Sequence, residues 1–168
     1  MLDLKQFDKD IVFPDKKGQI WTSQEANKSL VMIYLTRRER FSAAHRIFNP
    51  GLSPEKNNEL YGLCSNPEWH GHNYILFITI KGEVDPDLGY LLNLKTLKEI
   101  IKRFVIEPLD HKNLNTQVPF LKGEIASTEN IAIAIWGVLE KPIKEEGAEL
   151  HCVKIAETEN NFIEYYGE

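Results

Sequence analysis

The chain has 168 residues, enough for one domain with its own hydrophobic core. Its formal net charge of −5 argues against a general nucleic-acid-binding surface, and no apolar stretch is long enough to span a membrane. Two cysteines, Cys64 and Cys152, are too few for a disulfide framework, which favours a reducing compartment. We therefore expect a cytoplasmic protein that binds neither nucleic acid nor membrane.

The beginning of the chain separates into an arm and a first strand. Residues 1–30 are polar, lack a sustained hydrophobic period and are too short to bury a core, so they are predicted to form an N-terminal arm. Residues 31–168 are expected to form a single domain. The segment LVMIYLTRRERFSAAHRI is rich in β-branched and aromatic residues and predicts the first strand. The next segment, NPGLSPEKNNELYGLCSNPEW, is rich in Pro, Asn and Gly and predicts a long loop.

The remaining elements are one strand, two helices and two further strands. HNYILFITIKGEV predicts the second strand, and NLKTLKEIIKRFVIEPL predicts a helix that Asn93 caps and Pro108 ends. STENIAIAIWGVLEKPIKEEG predicts a second helix capped by Ser127 or Thr128. HCVKIAETE and NFIEYYGE predict the last two strands. The order β-β-α-α-β-β indicates an α+β fold, with a four-stranded antiparallel sheet and both helices on one face.

Two histidines at the entry to the second strand indicate a metal site. His70 and His72 are two residues apart, so their side chains point to the same face of a strand. His45, at the end of the first strand, is the best candidate for a third ligand. Three histidines and an open position are typical of catalytic zinc, whereas a closed structural site would recruit Cys64 as a fourth ligand. The residues alone leave both possibilities open.

Other polar residues suggest proton transfer and ligand binding. Asp110 could orient His111, and His111 could exchange a proton with the thiol of Cys64. A capping aspartate and an inert cysteine are the alternatives. The carboxylate of Glu157 could accept two parallel N–H bonds from the amidine-like edge of a guanine-like or pterin ring. Glu129 has a simpler explanation, since acidic residues are favoured in the first turn of a helix.

Several motifs, taken together, resemble the 6-pyruvoyltetrahydropterin synthases. The resemblance rests on FSAAHRI, LYGLCSNPEWHGHNY, PLDHKNLN, STENIAIAIW and KIAETENNFIEYYGE, and runs from about residue 33 to the end. It implies the tunnelling fold and a homohexamer, a dimer of trimers with active sites at subunit interfaces. It implies a catalytic Zn²⁺ held by His45, His70 and His72. The implied proton-transfer set is Cys64, Asp110 and His111, and the implied pterin pocket contains Glu157, Thr128 and Glu129.

The resemblance also implies a reaction in the biopterin pathway, in which 7,8-dihydroneopterin triphosphate loses triphosphate and becomes 6-pyruvoyltetrahydropterin. Five residues separate Cys64 from His70, as in the biopterin-pathway synthases. The related 6-carboxytetrahydropterin synthases of queuosine biosynthesis tend to have a shorter spacing and remain the alternative. A zinc-binding scaffold without catalysis is a weaker alternative. Trp69 stands where many members of the family have glycine.

Overall fold

The computed structural model of the protein describes residues 13–14, 20–21 and 31–168. The chain divides into two compact units, Met1–Met32 and Ile33–Glu168. In the first unit, strand β1 (Phe13–Pro14) pairs antiparallel with β2 (Ile20–Trp21). The N-terminal arm expected over residues 1–30 otherwise lies outside the described residues.

The main sheet has five strands in the order β5-β3-β4-β6-β7. Its strands are β3 (Met32–His45), β4 (His70–Glu83), β5 (Lys112–Asn113), β6 (Glu149–Ala156) and β7 (Phe162–Tyr165). The pairs β4–β6 and β6–β7 are antiparallel, whereas β5 runs parallel to β3. The sheet is therefore mixed, with its one parallel pair at the β5 edge.

Side-chain contacts fix the alignment of β3 on β4. The hydroxyls of Thr36 and Thr79 lie 2.8 Å apart, and the Ser42 hydroxyl donates to Asn73 Oδ1 over 2.7 Å. Residue numbers rise along β3 as they fall along β4, so the two strands are antiparallel. This alignment brings the end of β3 beside the beginning of β4.

The helices are α1 (Pro54–Tyr61), α2 (Leu94–Ile101), α3 (Glu107–Leu109) and α4 (Thr128–Glu145). A π-helical segment, Lys102–Ile106, makes α2 and α3 continuous. The side chain of Asn93 caps α2, and that of Ser127 caps α4, each by accepting a backbone N–H of the first turn. None of the described helices is long and apolar enough to cross a membrane.

The core lies between the sheet and the long helices. Alternate residues of β4 are fully buried, among them Leu76, Ile78 and Ile80. They belong to the same hydrophobic cluster as α2 and α4, which contribute Leu97 and Ile135. Each such buried side chain stabilises the fold by about 1.5–3 kcal/mol relative to an exposed one. The helices therefore cover one face of the sheet, as the sequence predicts.

The predicted α+β class is correct, but the predicted sheet is wrong in detail. The sheet has five strands and is mixed, not four and antiparallel, because the two-residue β5 joins the free edge of β3. The order β-β-α-α-β-β is not confirmed, because α1 lies between β3 and β4 where a loop is predicted. This helix is polar, and its buried side chain is that of Asn57, so it carries no apolar stripe that would reveal it.

Candidate metal site and neighbouring pockets

Three histidines converge where β3 ends and β4 begins. His45 is the last residue of β3, and His70 and His72 lie at the first and third positions of β4. One nitrogen atom from each ring lies within 4.8 Å of the other two. His45 is fully buried, and the other two rings are half-buried. The structure thus brings together all three predicted metal ligands.

The close approach of the two strands depends on Gly71, which separates His70 from His72. A Cβ at this position would lie 3.0 Å from the carbonyl oxygen of Ala43 on β3. That distance is shorter than an ordinary van der Waals contact, so a side chain would push β4 away from β3. The absent side chain of Gly71 therefore allows His45 to lie beside the other two rings.

The ring of His45 is oriented by a backbone carbonyl. Its Nδ1 lies 2.7 Å from the carbonyl oxygen of Ala126, and because a carbonyl can only accept, Nδ1 carries the proton. The unprotonated Nε2 is buried and has no hydrogen-bond partner. Asn130 holds this loop by donating from Nδ2 to the carbonyl of Ile125 over 2.8 Å. His45 consequently presents one free lone pair to the cluster.

The carboxylate of Glu157 faces the same point. Its Oε1 lies 3.4 Å from Nε2 of His45 and 3.7 Å from Nε2 of His72. Burial lowers the pKa of His45 and of His70, which favours the neutral imidazole that binds metals. In neutral His45 no hydrogen lies between Nε2 and the carboxylate, so two acceptors face one another. A cation bound between them would remove the repulsion between these two acceptors. The donor set therefore fits a divalent metal.

Tyr74 continues the row of side chains that His70 and His72 begin. Its ring lies 6.0 Å from that of His45 and 5.6 Å from that of His72, measured between centroids. Burial, and then the negative charge of Glu157, raise the pKa of its hydroxyl well above the ordinary value. The neutral ring therefore forms the floor of the cluster. Because side chains alternate along β4, the position of Tyr74 two residues after His72 places it on the same face as both histidines.

Asp110 and His111 form a second polar pair beside β3. The backbone N–H of Ser42 donates to Asp110 Oδ1, and His111 Nδ1 lies 2.9 Å from Asp110 Oδ2. The Ser42 hydrogen bond and the adjacent imidazole hold the pKa of Asp110 below its usual range. His111 has a φ of 57° and donates its own N–H to the carbonyl of Ser42. The carboxylate therefore holds one ring nitrogen while the rest of the exposed imidazole faces outward.

Two surface pockets adjoin these groups. One, of about 540 Å³, contains both His72 and His111 in its wall. The other, of about 550 Å³, is lined by Glu157 together with Ile75 and Phe77 of the open sheet face. Asn73 lines both pockets, so they are neighbours. The three-histidine cluster thus lies beside two pockets, of which the one lined by Ile75 and Phe77 is the more apolar.

The other predicted site residues are more dispersed. Cys64 is exposed in the 3₁₀ turn Gly62–Ser65, and its carbonyl accepts the N–H of Ile47 over 2.7 Å. Cys64 does not belong to the described metal-ligand cluster. Thr128 is buried and Glu129 is exposed, both in the first turn of α4. None of these three residues lines either pocket.

We expect Gly71→Ala to weaken metal binding, because the new methyl group would separate β3 from β4. The affinity for zinc should fall about tenfold, and the free energy of unfolding by roughly 1 kcal/mol, the range for mild overpacking and for misplaced metal ligands. Titration with zinc and thermal unfolding measure both changes. Gly137→Ala in α4 is the control, since an added Cβ there meets no atom within 4 Å. Unchanged zinc affinity in Gly71→Ala would contradict this account of the strand contact.

Comparison with known proteins points to one family. A family model described as 6-pyruvoyl tetrahydropterin synthase matches residues 34–168. The 6-pyruvoyl tetrahydrobiopterin synthase of Dictyostelium discoideum is 50% identical over 136 residues, covering 81% of this chain and 97% of the relative. The solved structure of the Caenorhabditis elegans 6-pyruvoyl tetrahydropterin synthase matches with a TM-score of 0.78 and 35% identity, over 83% of this chain and 98% of that chain.

Similarity to the carboxy-forming relatives is weaker. The 6-carboxy-5,6,7,8-tetrahydropterin synthase of Rickettsia bellii is 28% identical over 150 residues, covering 79% of this chain and 99% of the relative. Its coverage is comparable to that of the Dictyostelium protein, so the lower identity reflects sequence divergence rather than a shorter match.

Proposed function

Because this chain belongs to the 6-pyruvoyl tetrahydropterin synthase family, we propose that it converts 7,8-dihydroneopterin triphosphate to 6-pyruvoyltetrahydropterin and triphosphate. The reaction requires no external oxidant, because the pterin ring is reduced as the side-chain carbinols are oxidised. It requires removal of protons from carbon, their return elsewhere on the substrate, and departure of a highly charged leaving group. The residues of this chain can be assigned to each of these tasks.

The observation that carries the proposal is the cluster of His45, His70 and His72. The Nε2 of His45 is buried without a hydrogen-bond partner and faces the carboxylate of Glu157, an arrangement that fits a divalent cation. A set of three histidines suits catalytic zinc. Zinc bound there would polarise the hydroxyls of the substrate side chain and make the adjacent C–H groups more acidic. The Ala126 carbonyl would keep His45 in the tautomer that binds metal.

Proton transfer is assigned to Cys64, Asp110 and His111. Asp110, whose pKa the Ser42 N–H holds below its usual range, orients His111 through its Nδ1. His111 and His72 line one pocket, so a substrate bound beside His72 would share that pocket with the His111 imidazole. Cys64 then serves as the partner base or acid on the substrate side chain.

Cys64 does not line the pocket that contains His72 and His111. This separation supports an active site that a neighbouring subunit completes, and the family resemblance implies that the assembly is a homohexamer, a dimer of trimers. The open edge of β7 and the exposed face of the sheet provide surfaces for such pairing. We place this assembly in the cytoplasm.

The pterin ring is assigned to the pocket of Glu157. Its apolar wall of Ile75 and Phe77 suits a flat heterocycle, and the carboxylate suits the amidine edge. Thr128 and Glu129, at the start of α4, do not line this pocket within one chain, and their assignment to the pterin site rests on the family resemblance alone. Glu157 would then serve both the metal site, where its Oε1 lies 3.4 Å from His45 Nε2, and the pterin site.

The carboxy-forming reaction, which would release acetaldehyde from the same substrate, is the alternative. The higher identity to a pyruvoyl-forming relative and the Cys64–His70 spacing favour the pyruvoyl product. Mass spectrometry of the product from 7,8-dihydroneopterin triphosphate tests the proposal. We expect 6-pyruvoyltetrahydropterin and inorganic triphosphate in equal amounts. Detection of 6-carboxytetrahydropterin and acetaldehyde would establish the alternative, and an unchanged substrate with zinc-loaded protein would refute both.

A further inference from the structure

A third pocket, of about 400 Å³, lies under the turn that carries Cys64. Leu63 and Ser65, the residues on either side of Cys64, both line it. Among its described lining residues Arg46 is the only charged one, and the polar remainder includes Asn58 and Asn66. A recess with one cation, amide groups and no carboxylate is unusual in a chain whose net charge is −5. Its chemistry suits an anion.

The guanidinium of Arg46 contacts two aromatic rings but forms no ion pair with any residue that the structure describes. It lies 4.1 Å from the centroid of Phe48 and 5.7 Å from that of Trp69, within the range of cation–π contacts. Its Nε is buried and has no hydrogen-bond partner, and no carboxylate of the described residues forms an ion pair with it. A partly desolvated arginine without a counterion is costly, and the planar guanidinium matches the oxygens of a phosphate group.

The backbone holds Arg46 rigidly in this position. The side chain of Asn115 accepts the N–H of Arg46 and donates to its carbonyl, both over 3.0 Å. Trp69 has a φ of 66°, a conformation that costs a bulky residue about 1–2 kcal/mol and that glycine adopts freely. This backbone strain occurs at the residue whose indole ring lies near the guanidinium of Arg46. Such retained strain is typical of sites that hold a group in place.

Arg46 and Trp69 are each adjacent in sequence to a proposed metal ligand. Arg46 directly follows the ligand His45, and Trp69 directly precedes the ligand His70. We propose that Arg46 binds the triphosphate of the substrate in this pocket, an inference that rests on the proposed function. As a base removes a proton from the side-chain carbon, the adjacent C–O bond breaks and the triphosphate oxygen leaves with the bonding electrons. Arg46 offsets the negative charge that accumulates there.

Calorimetric titration of the zinc-loaded full chain with inorganic tripolyphosphate tests the assignment. Arg46→Met should weaken tripolyphosphate binding at least tenfold, as expected for loss of a charge-assisted contact, and Arg46→Lys should weaken it less. Asn58→Asp, which leaves Arg46 in place and adds a negative charge to the pocket, should also weaken binding. Lys141→Met, which removes a cation from α4 outside the pocket, should change nothing. Zinc content is measured after each titration, because tripolyphosphate chelates zinc.

Neopterin, which lacks phosphates, separates this inference from the proposed function. If Arg46 binds the triphosphate, Arg46→Met should bind neopterin like the unmodified protein while losing tripolyphosphate affinity. Equal tripolyphosphate affinity in Arg46→Met and the unmodified protein would overturn the inference and leave the synthase assignment intact. Failure of the unmodified protein to bind neopterin would count against the proposed function and not against the anion pocket.

Discussion

Replacement of His72 by alanine is expected to remove zinc from the protein and to abolish turnover. The variant loses one of three imidazoles whose nitrogen atoms lie within 4.8 Å of each other. Because changes to groups that merely orient ligands already cost roughly 10–100-fold in affinity or activity, loss of a ligand should cost on the order of 100-fold or more. Metal analysis after dialysis, zinc titration and the rate of triphosphate release measure the effect.

His72 is a better position for this test than His45, which is fully buried and whose removal would leave a cavity. His151→Ala is the matched control, since this half-buried histidine packs against Tyr34 and Tyr166 instead of the cluster. The control should bind zinc normally. Stoichiometric zinc of unchanged affinity in His72→Ala would refute the three-histidine site, whatever the activity of the variant.

Replacement of Cys64 by alanine is expected to separate zinc binding from catalysis. Cys64 lies outside the described metal-ligand cluster, so the variant should retain its zinc. Turnover should fall by roughly 10²–10⁴-fold, the usual contribution of a positioned acid or base. Metal analysis and the rate of triphosphate release, made on the same samples, test the two halves of the expectation.

The second cysteine provides the control for that experiment. Cys152 is buried, and burial raises the pKa of its thiol, so it is expected to remain protonated and unreactive. Cys152→Ser should keep both zinc and turnover, and iodoacetamide should modify Cys64 but not Cys152. Loss of zinc from Cys64→Ala would instead identify the thiol as a fourth ligand, and the protein as the scaffold considered above.

The convergence of the three histidines could be predicted from sequence because strand geometry is simple. Alternation places His70 and His72 on one face, and the end of a neighbouring strand supplied His45. The orientation of His45 could not be predicted in this way. It depends on the carbonyl of Ala126, a backbone group 81 residues away whose position is set by a loop.

The errors in the predicted fold have similar physical origins. The segment after His45 contains Ser53 and Pro54, a helix cap followed by a favoured first residue, but its abundance of Asn and Pro favoured a loop. Strand β5 has only two residues and therefore no period that a sequence pattern could reveal. The contact of Asp110 with the backbone of Ser42 depends on this same pairing and could not be anticipated from the adjacent Asp110 and His111 alone.

Strand pairing, Gly71 and the Ala126 carbonyl each contribute to the positions of the three imidazoles. Such a rigid nitrogen-donor set discriminates poorly among divalent transition metals, whose affinities follow the Irving–Williams order. Cobalt should therefore replace zinc with little disturbance, and its visible absorption would report the coordination number directly. By the same reasoning, the metal found in the cell is set by supply rather than by selectivity of the protein.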